Sequence, residues 1–556
     1  MRCLLACLSL LLLASCASPE PEYDVVLRGG TVYDGTGSPG RVEDVAIQGD
    51  RIAKIGDLGG AAGKKEIDAS GLAVAPGFIN MMCWSNESLI EDGRSQSDIR
   101  QGVTLQVMGE GNSMGPLTPE MKQRMKEGQG DIQYEISWDT LGGYLQFLED
   151  KGVSPNVCSY LGAATPRVSV IGYEDRPPTP EELDKMRAIV KQAMEEGAMG
   201  VASSLVYPPG FFASTEELIE LTKVVAEYDG VYASHIRSEG ESLVEAVEEF
   251  LRIVRESGAR GEMYHLKAAG KSNWPKMDEV IALFEKARAE GLEITADAYT
   301  YTAGSAGLTS TMPPWVQEGG FEKALERLQD PKTRARIKKE MNIAAKDWEN
   351  MYLQAGGPEG VLLVGFKTEE LKPLTGKTLA EVAKMRGESP EDAAMNLIIE
   401  DGGRVNTVYF TQSEDNLRKK LQLPWLSFCS DSPSMAPAGV FLKSSVHPRA
   451  YGSFARVLGK FAREEGLLTL EQAVRKLAGL PAQTLGLKER GLIQEGYFAD
   501  IAVFDPEKIT DHATYENPHQ YATGMVHVFV NGGQALENGE HTGVTSGRFV
   551  KGPGAK

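Results

Sequence analysis

Two runs set the frame: Val231-Tyr232-Ala233-Ser234-His235 and Gly261-Glu262-Met263-Tyr264-His265, each a short stretch that closes on a histidine. The histidines stand thirty residues apart, the length of one strand–helix repeat, and Val244, Val247 and Leu251 form an apolar helical stripe between them. The alternation extends in both directions. Strands are predicted at Ala73 to Met81, Val103 to Met108, Asn156 to Leu161, Met199 to Ser203, Val231 to His235, Glu262 to Leu266, Glu293 to Ala298 and Trp425 to Cys429. Helical patterns fill the intervals, as where Ser214-Thr215-Glu216-Glu217 makes a capping box ahead of Leu218, Leu221, Val224 and Val225. Eight such units predict an α/β fold, a (β/α)8 TIM-like barrel whose chemistry sits at the C-terminal ends of its strands.

Outside the barrel, residues 23-74 carry short β-rich runs such as Val25-Val26-Leu27 and Ile52-Ala53-Lys54-Ile55. Residues 490-556 carry matching ones, Ile501-Ala502-Val503-Phe504 and Val526-His527-Val528-Phe529-Val530. The two ends are expected to complete one small β-sandwich domain, leaving 75-489 to the catalytic barrel. An insertion at about 309-400, with a Lys/Glu-rich helical part from Phe321 to Met351, is expected to form a lid over the barrel mouth.

Composition limits the partners. A chain of 556 residues, 42% hydrophobic and 24% charged, is a large globular protein rather than a disordered or fibrous one. Its 58 basic against 78 acidic side chains leave a net charge of -20, which repels nucleic acid and anionic membranes. Three of the six cysteines, Cys3, Cys7 and Cys16, lie in a leader. There, Arg2 precedes the apolar run Leu4 to Leu13, and Leu13-Ala14-Ser15-Cys16 resembles a bacterial lipobox. Residues 1-16 are therefore expected to be a lipoprotein-type signal and 17-22 a tether. That places an exported protein in the periplasm or cell envelope, with Cys16 as its only membrane contact. Cys83, Cys158 and Cys429 sit singly in apolar runs and read as buried small hydrophobes, with one disulfide as the alternative.

Histidine is the scarce residue, with only seven, and His512, His519, His527 and His541 fall in the terminal β-region as structural or surface groups. His235 and His265, at the tops of adjacent strands, converge as a zinc site requires, against the alternative of two polar strand ends. Asp431, in Cys429-Ser430-Asp431-Ser432-Pro433 after the eighth strand, points into the same mouth and is placed to take a proton from water. An Asx-turn before Pro433 is the alternative.

These residues, with Val74-Ala75-Pro76-Gly77-Phe78-Ile79, Tyr207-Pro208-Pro209-Gly210, His447-Pro448-Arg449 and Ala499-Asp500-Ile501-Ala502-Val503-Phe504, resemble the amidohydrolase superfamily. Within it they are similar to the N-acyl-D-amino-acid deacylases, or D-aminoacylases, over nearly the whole chain after the tether. The resemblance implies a barrel flanked by a β-sandwich, a zinc-activated water and hydrolysis of the amide bond of a small N-acyl amino acid.

One departure stands out. Where the superfamily carries Asp-x-His-x-His, this chain has Asn80-Met81-Met82-Cys83-Trp84, so the two histidine positions are Met82 and Trp84. A thioether binds zinc weakly and an indole offers only a donor N–H, so the second, alpha metal site is expected to be lost, leaving one Zn2+ per chain. Cys83 points to the opposite strand face. The family's cysteine ligand near the second strand is also missing, and Glu110, in Met108-Gly109-Glu110-Gly111, is expected to complete a triad with His235 and His265, against a turn-stabilising role. Lys267 and Arg449 are cations that would meet the substrate carboxylate. Family position adds Tyr207 and Ser305 as hydroxyl contacts and Tyr299 as an oxyanion donor, with Tyr301 on the same strand face. The competing readings are a dipeptidase or cyclic-amide hydrolase of the same superfamily, or an inactive binding protein left by the loss of the first-strand histidines.

Overall fold

The computed structural model describes residues 22–556. The signal and lipid-anchor cysteine expected over residues 1-16 lie outside the described residues.

Eight parallel strands form the barrel: Phe78–Asn80, Val103–Met108, Asn156–Ser159 continued by Leu161–Gly162, Gly200–Ser204, Val231–His235, Arg260–Met263, Ile294–Ala298 and Leu426–Phe428. Ladder pairing joins strands one to three and, separately, three to eight. The ring closes where Met81 N–H donates to Phe428 O at 3.3 Å and Met199 N–H to Ser159 O at 3.0 Å. Nearly every strand residue is buried, because helices cover the outside and side chains fill the inside. The helix Leu243–Ser257 follows the predicted stripe, turning Val247, Phe250, Leu251 and Val254 onto the sheet.

The predicted run Ala73 to Met81 divides at Gly77. Ala73–Pro76 pairs antiparallel with Ile501–Phe504 outside the barrel, whereas Phe78–Asn80 enters it. A Cβ on Gly77 would stand 2.1 Å from Thr104 Oγ1, so only glycine lets the chain cross this close to the second strand. Both chain ends contribute to one hydrogen-bonded nine-stranded sheet, around an apolar core that includes Val45, Ile47, Val74, Ile501 and Phe529. The last residues leave that sheet. Val157 N–H donates to Arg548 O, Val550 N–H to Val157 O and Gly552 N–H to Gly197 O, so the C-terminal tail runs along the barrel.

The insertion is wider than its helical signal. It opens on Gly304–Gly307 and closes on Asn406–Tyr409, which pair with each other and, through the latter, with Val361–Gly365 in a separate antiparallel sheet. Helices such as Phe321–Gln329 and Pro331–Met341 pack on it around their own core, which includes Leu308, Leu328, Leu363 and Leu397. The Gly-Ser-Ala-Gly edge strand has no β-propensity and left no periodic trace in the sequence.

A buried polar junction ties the terminal sheet to the barrel. Arg490 pairs with Asp500 and donates to Asn531 Oδ1 at 2.9 Å, and Asn531 Nδ2 donates to Asn156 Oδ1 on the third barrel strand at 2.8 Å. Removing one charge strands the other in a low-dielectric junction. Asp500→Ala is therefore expected to lower the midpoint of denaturant unfolding by the equivalent of about 3–5 kcal/mol. Asp505→Ala, at an exposed pair with Lys508, should cost no more than about 1 kcal/mol in the same measurement.

Candidate metal centre and catalytic pocket

Glu110, His235 and His265 meet at the barrel mouth. His235 ends the fifth strand, in register with Ser204 of the fourth. His265 lies two residues beyond the sixth strand in a left-handed turn, φ +36°, with its N–H held by Asp297 Oδ1 at 2.7 Å. That strained backbone is fixed by the strand beside it. Glu110 rides a loop between Gly109 and Gly111, at φ +104° and +65°. A Cβ on Gly109 would stand 2.2 Å from Tyr160 O, and one on Gly111 2.7 Å from Ser204 Cβ. Both glycines are thus required to deliver the carboxylate.

Glu110 Oε1 is 2.9 Å from His235 Nδ1 and 3.6 Å from His265 Nε2, and it accepts from Ser204 Oγ at 3.2 Å. One ligand atom from each of the three lies within 4.8 Å of the others. Donors bound about 2.0–2.2 Å from zinc stand roughly 3.5 Å apart, so a small adjustment that opens the Glu110–His235 contact suits this set to the ion. Burial pushes the Glu110 carboxyl up, but hydrogen bonds and charge from the two imidazoles hold it well below the usual carboxylate range.

The outward nitrogens meet a second carboxylate. Glu239 Oε1 lies 3.0 Å from His265 Nδ1 and 2.5 Å from Lys267 Nζ, and its Oε2 lies 3.6 Å from His235 Nε2, a buried atom with no hydrogen-bond partner. Metal-ligating histidines ordinarily have such a partner, which sets tautomer and basicity. Burial and Lys267 depress the His265 imidazole, yet Glu239 and Glu110 outweigh them and raise it to about 9. Burial likewise raises Glu239, and Lys267 with both histidines pulls it far down. Glu239 follows His235 by four residues in a loop, where no periodicity points, so only its place in the His235-Ile236-Arg237-Ser238-Glu239 motif signalled it.

Asp431 also has a left-handed backbone, φ +48°, and its N–H donates to Met82 O at 3.0 Å. Its Oδ1 accepts from Trp84 Nε1 at 3.1 Å and its Oδ2 lies 2.6 Å from Arg449 Nη1. Asn80 holds the turn, accepting from Ser430 N–H and donating to Ser430 Oγ, each at 2.8 Å. Met82 is buried in the barrel interior.

Both cations expected to meet a substrate carboxylate are paired within the protein. Arg449 is absent from the cavity lining: it is buried behind Asp431, its Nη1 2.6 Å from Asp431 Oδ2 and its guanidinium 4.4 Å from the Tyr299 ring centre. Lys267 does border it, but its ammonium is held by Glu239 and by His265 Nδ1, at 2.7 Å. Tyr207, Ser305 and Tyr299 line the cavity, although the Ser305 hydroxyl donates to Thr407 O at 2.9 Å. Tyr299 Oη accepts from Gln412 Nε2 at 2.7 Å, and burial, against Lys267 and Arg449, raises its phenol to about 12, so it stays a donor at neutral pH. Tyr301 donates instead to Asp511, away from the mouth. His447 braces the loop, its Nδ1 accepting from Arg449 N–H at 3.0 Å. Cys83, Cys158 and Cys429 are free, buried thiols.

The cavity measures about 680 Å3, with the triad and Asp431 at its base and the insertion as its wall. A model of the amidohydrolase family matches residues 65–535. The chain belongs to the amidohydrolase family. This amidohydrolase is 34% identical to a D-aminoacylase of Alcaligenes xylosoxydans xylosoxydans, over 96% of this chain and 98% of that one. A solved N-acyl-D-glutamate deacylase from Bordetella bronchiseptica, complexed with zinc and a phosphonate mimic of the tetrahedral intermediate, superposes with a TM-score of 0.78 at 29% identity, covering 95% of this chain and 99% of that one. A solved D-aminoacylase described by one-metal activation and second-metal attenuation gives 0.78 at 33%, over 95% and 100%.

Glu239 gives the amidohydrolase centre a direct test. Glu239→Gln keeps the shape and removes the charge behind both histidines, so zinc affinity in chelator competition should fall about 10–100-fold. Unchanged affinity would show that Glu239 plays no part in holding the ligands.

Proposed function

We propose that this amidohydrolase hydrolyses the amide bond of N-acyl-D-amino acids, using one zinc ion held by Glu110, His235 and His265. The reading rests on the convergence of those three side chains, with Glu239 behind them, in a cavity of about 680 Å3. Zinc bound there supplies Lewis-acid charge, which acidifies water and polarises a carbonyl oxygen. Asp431 takes the proton of the attacking water on its carboxylate and returns it to the leaving amine. Trp84 Nε1 donates to one oxygen of that carboxylate and the Arg449 guanidinium lies against the other, while Asp431 borders the cavity. The Tyr299 hydroxyl, oriented by Gln412, donates to the oxygen on which negative charge develops. Tyr207 and Ser305 line the acyl amino acid's path, Lys267 balances Glu239, and the insertion shields the base of the cavity from bulk water.

The single-metal stoichiometry is supported at the first strand. Met82 is buried among apolar barrel side chains, and Trp84 places an N–H donor on Asp431 where a second cation would otherwise balance that carboxylate. Purified enzyme should hold about one zinc per chain by elemental analysis even after incubation with excess zinc, and two would refute the assignment. Asp431→Asn should keep that zinc and lose about 100- to 10,000-fold in kcat on N-acetyl-D-amino acids. Full activity in that variant, or no hydrolysis across N-acetyl-D-, N-acetyl-L- and dipeptide substrates by the zinc-loaded wild type, would overturn the mechanism.

We also propose that the protein is exported and anchored in the cell envelope through a lipid on Cys16. Cys16→Ala should move it from the membrane fraction to the soluble fraction, with loss of lipid labelling.

A further inference from the structure

Oxyanion stabilisation requires the Tyr299 proton to face the cavity, and that direction is set outside it. Tyr299 Oη accepts from Gln412 Nε2 at 2.7 Å, and among the described residues its own O–H has no acceptor. An amide presents an NH2 on one side and an oxygen on the other. Turned over, Gln412 would offer its oxygen to Tyr299, and the phenol would point its proton there instead of into the cavity. Whatever holds the amide therefore decides whether Tyr299 can act as a donor.

Lys420 holds it. The residue lies in the helix Glu414–Leu421, 2% exposed, and its Nζ donates to Gln412 Oε1 at 3.3 Å and to Leu266 O, between His265 and Lys267. An ammonium carries donors and no acceptor, so the amide meets it only through oxygen, which leaves Nε2 for Tyr299. A buried lysine without a carboxylate is costly, and among the described residues Lys420 makes no salt bridge. Lys476 is buried too, but it donates only to backbone carbonyls, Leu423 O and Leu426 O, and orients no side chain. Gln412 and Lys420 are both absent from the cavity lining, whereas Tyr299 is part of it. The Lys420 ammonium also lies 6.0 Å from the Tyr299 ring centre, with Lys267 at 5.7 Å and the Arg449 guanidinium at 4.4 Å. Three cations around one phenol strengthen its O–H as a donor. Burial and Lys267 pull Lys420 down to about 7, so its charge is held in mildly acidic solution.

We propose that Lys420 is a positioning residue: it fixes the Gln412 amide with its oxygen on the ammonium, and so turns the Tyr299 hydroxyl proton into the cavity, towards the oxygen on which charge develops. The inference rests on the amide-hydrolase reading only for the identity of that oxygen. The direction of the phenol proton can be read without turnover, by fluorine NMR of fluorotyrosine-labelled protein in which Tyr299→Phe identifies the Tyr299 resonance.

The test compares the zinc-loaded wild type with Gln412→Glu, Lys420→Met, Lys420→Arg and Lys476→Met in mildly acidic buffer, by that resonance, by thermal unfolding and by kcat and KM on N-acetyl-D-, N-acetyl-L- and dipeptide substrates. Gln412→Glu has only oxygens to offer, so it keeps the contact with Lys420 and captures the Tyr299 proton. It should shift the Tyr299 resonance and lower kcat about 10–100-fold at unchanged KM, with an unfolding temperature no lower than that of the wild type. Lys420→Met should change kcat and the resonance in the same way, and Lys420→Arg, which is also donor-only, should restore both. Lys476→Met removes an equally buried lysine and should lose stability alone. Because Gln412→Glu retains Lys420, it tests the proposal even where Lys420→Met does not fold. A Tyr299 resonance unmoved in Gln412→Glu overturns the positioning role, as does a kcat in that variant equal to that of Lys476→Met. A shifted resonance together with no hydrolysis of any compound by the wild type upholds the positioning role and overturns the amide-hydrolase reading.

Discussion

Two carboxylates, Glu110 and Glu239, are buried side by side at the top of a barrel, and ionised groups taken out of water must be balanced or give up their charge. The surrounding architecture supplies the balance. Both histidines stand between the two acids, Lys267 closes on Glu239, and Asp431 is met by Arg449 and the Trp84 indole. A cation bound among Glu110, His235 and His265 would complete this arrangement, which is why the cluster reads as a metal site rather than as a structural salt bridge. A buried ion network is weak evidence for stability in itself, so its presence here fits function better than fold.

The fold delivers that cluster through close backbone approaches. Gly77 lets the chain pass from the terminal sheet into the first barrel strand, and Gly109 and Gly111 bring Glu110 over the third and fourth strands. His265 and Asp431 adopt left-handed backbones at strand ends, held by the hydrogen bonds their N–H groups donate to Asp297 Oδ1 and Met82 O. Rigid strands thus fix the ligands, while the cavity wall comes from an insertion with its own sheet and core. Metal ligands on the barrel and a cavity wall on the insertion is a division that permits the wall to change without disturbing the ligands.

Much of this was legible beforehand, for identifiable reasons. Strand ends at His235 and His265 follow from short apolar runs spaced by one βα unit, and the glycines around Glu110 announced an unusual backbone. Asp431 follows from the strand that precedes it, and Tyr299 from family position. The pairing of Arg449 with Asp431 and of Glu239 with the histidines is not legible, because pairing between loops leaves no period in a sequence: a cation in a loop can face a cavity or a buried acid with identical spacing. The insertion's edge strand Gly304–Gly307 is not legible because glycine and serine carry no β signal.

The sequence by itself determined the barrel, the donor set at the strand ends and the absence of histidine at Met82 and Trp84, since periodicity and residue chemistry are local properties. Tertiary structure alone decided which charges neutralise one another: Glu239 with both histidines and Lys267, and Asp431 with Arg449. Electrostatic energy depends on distance and burial in three dimensions, and residues 431 and 449, or 235 and 110, acquire theirs only when the strands close into a ring.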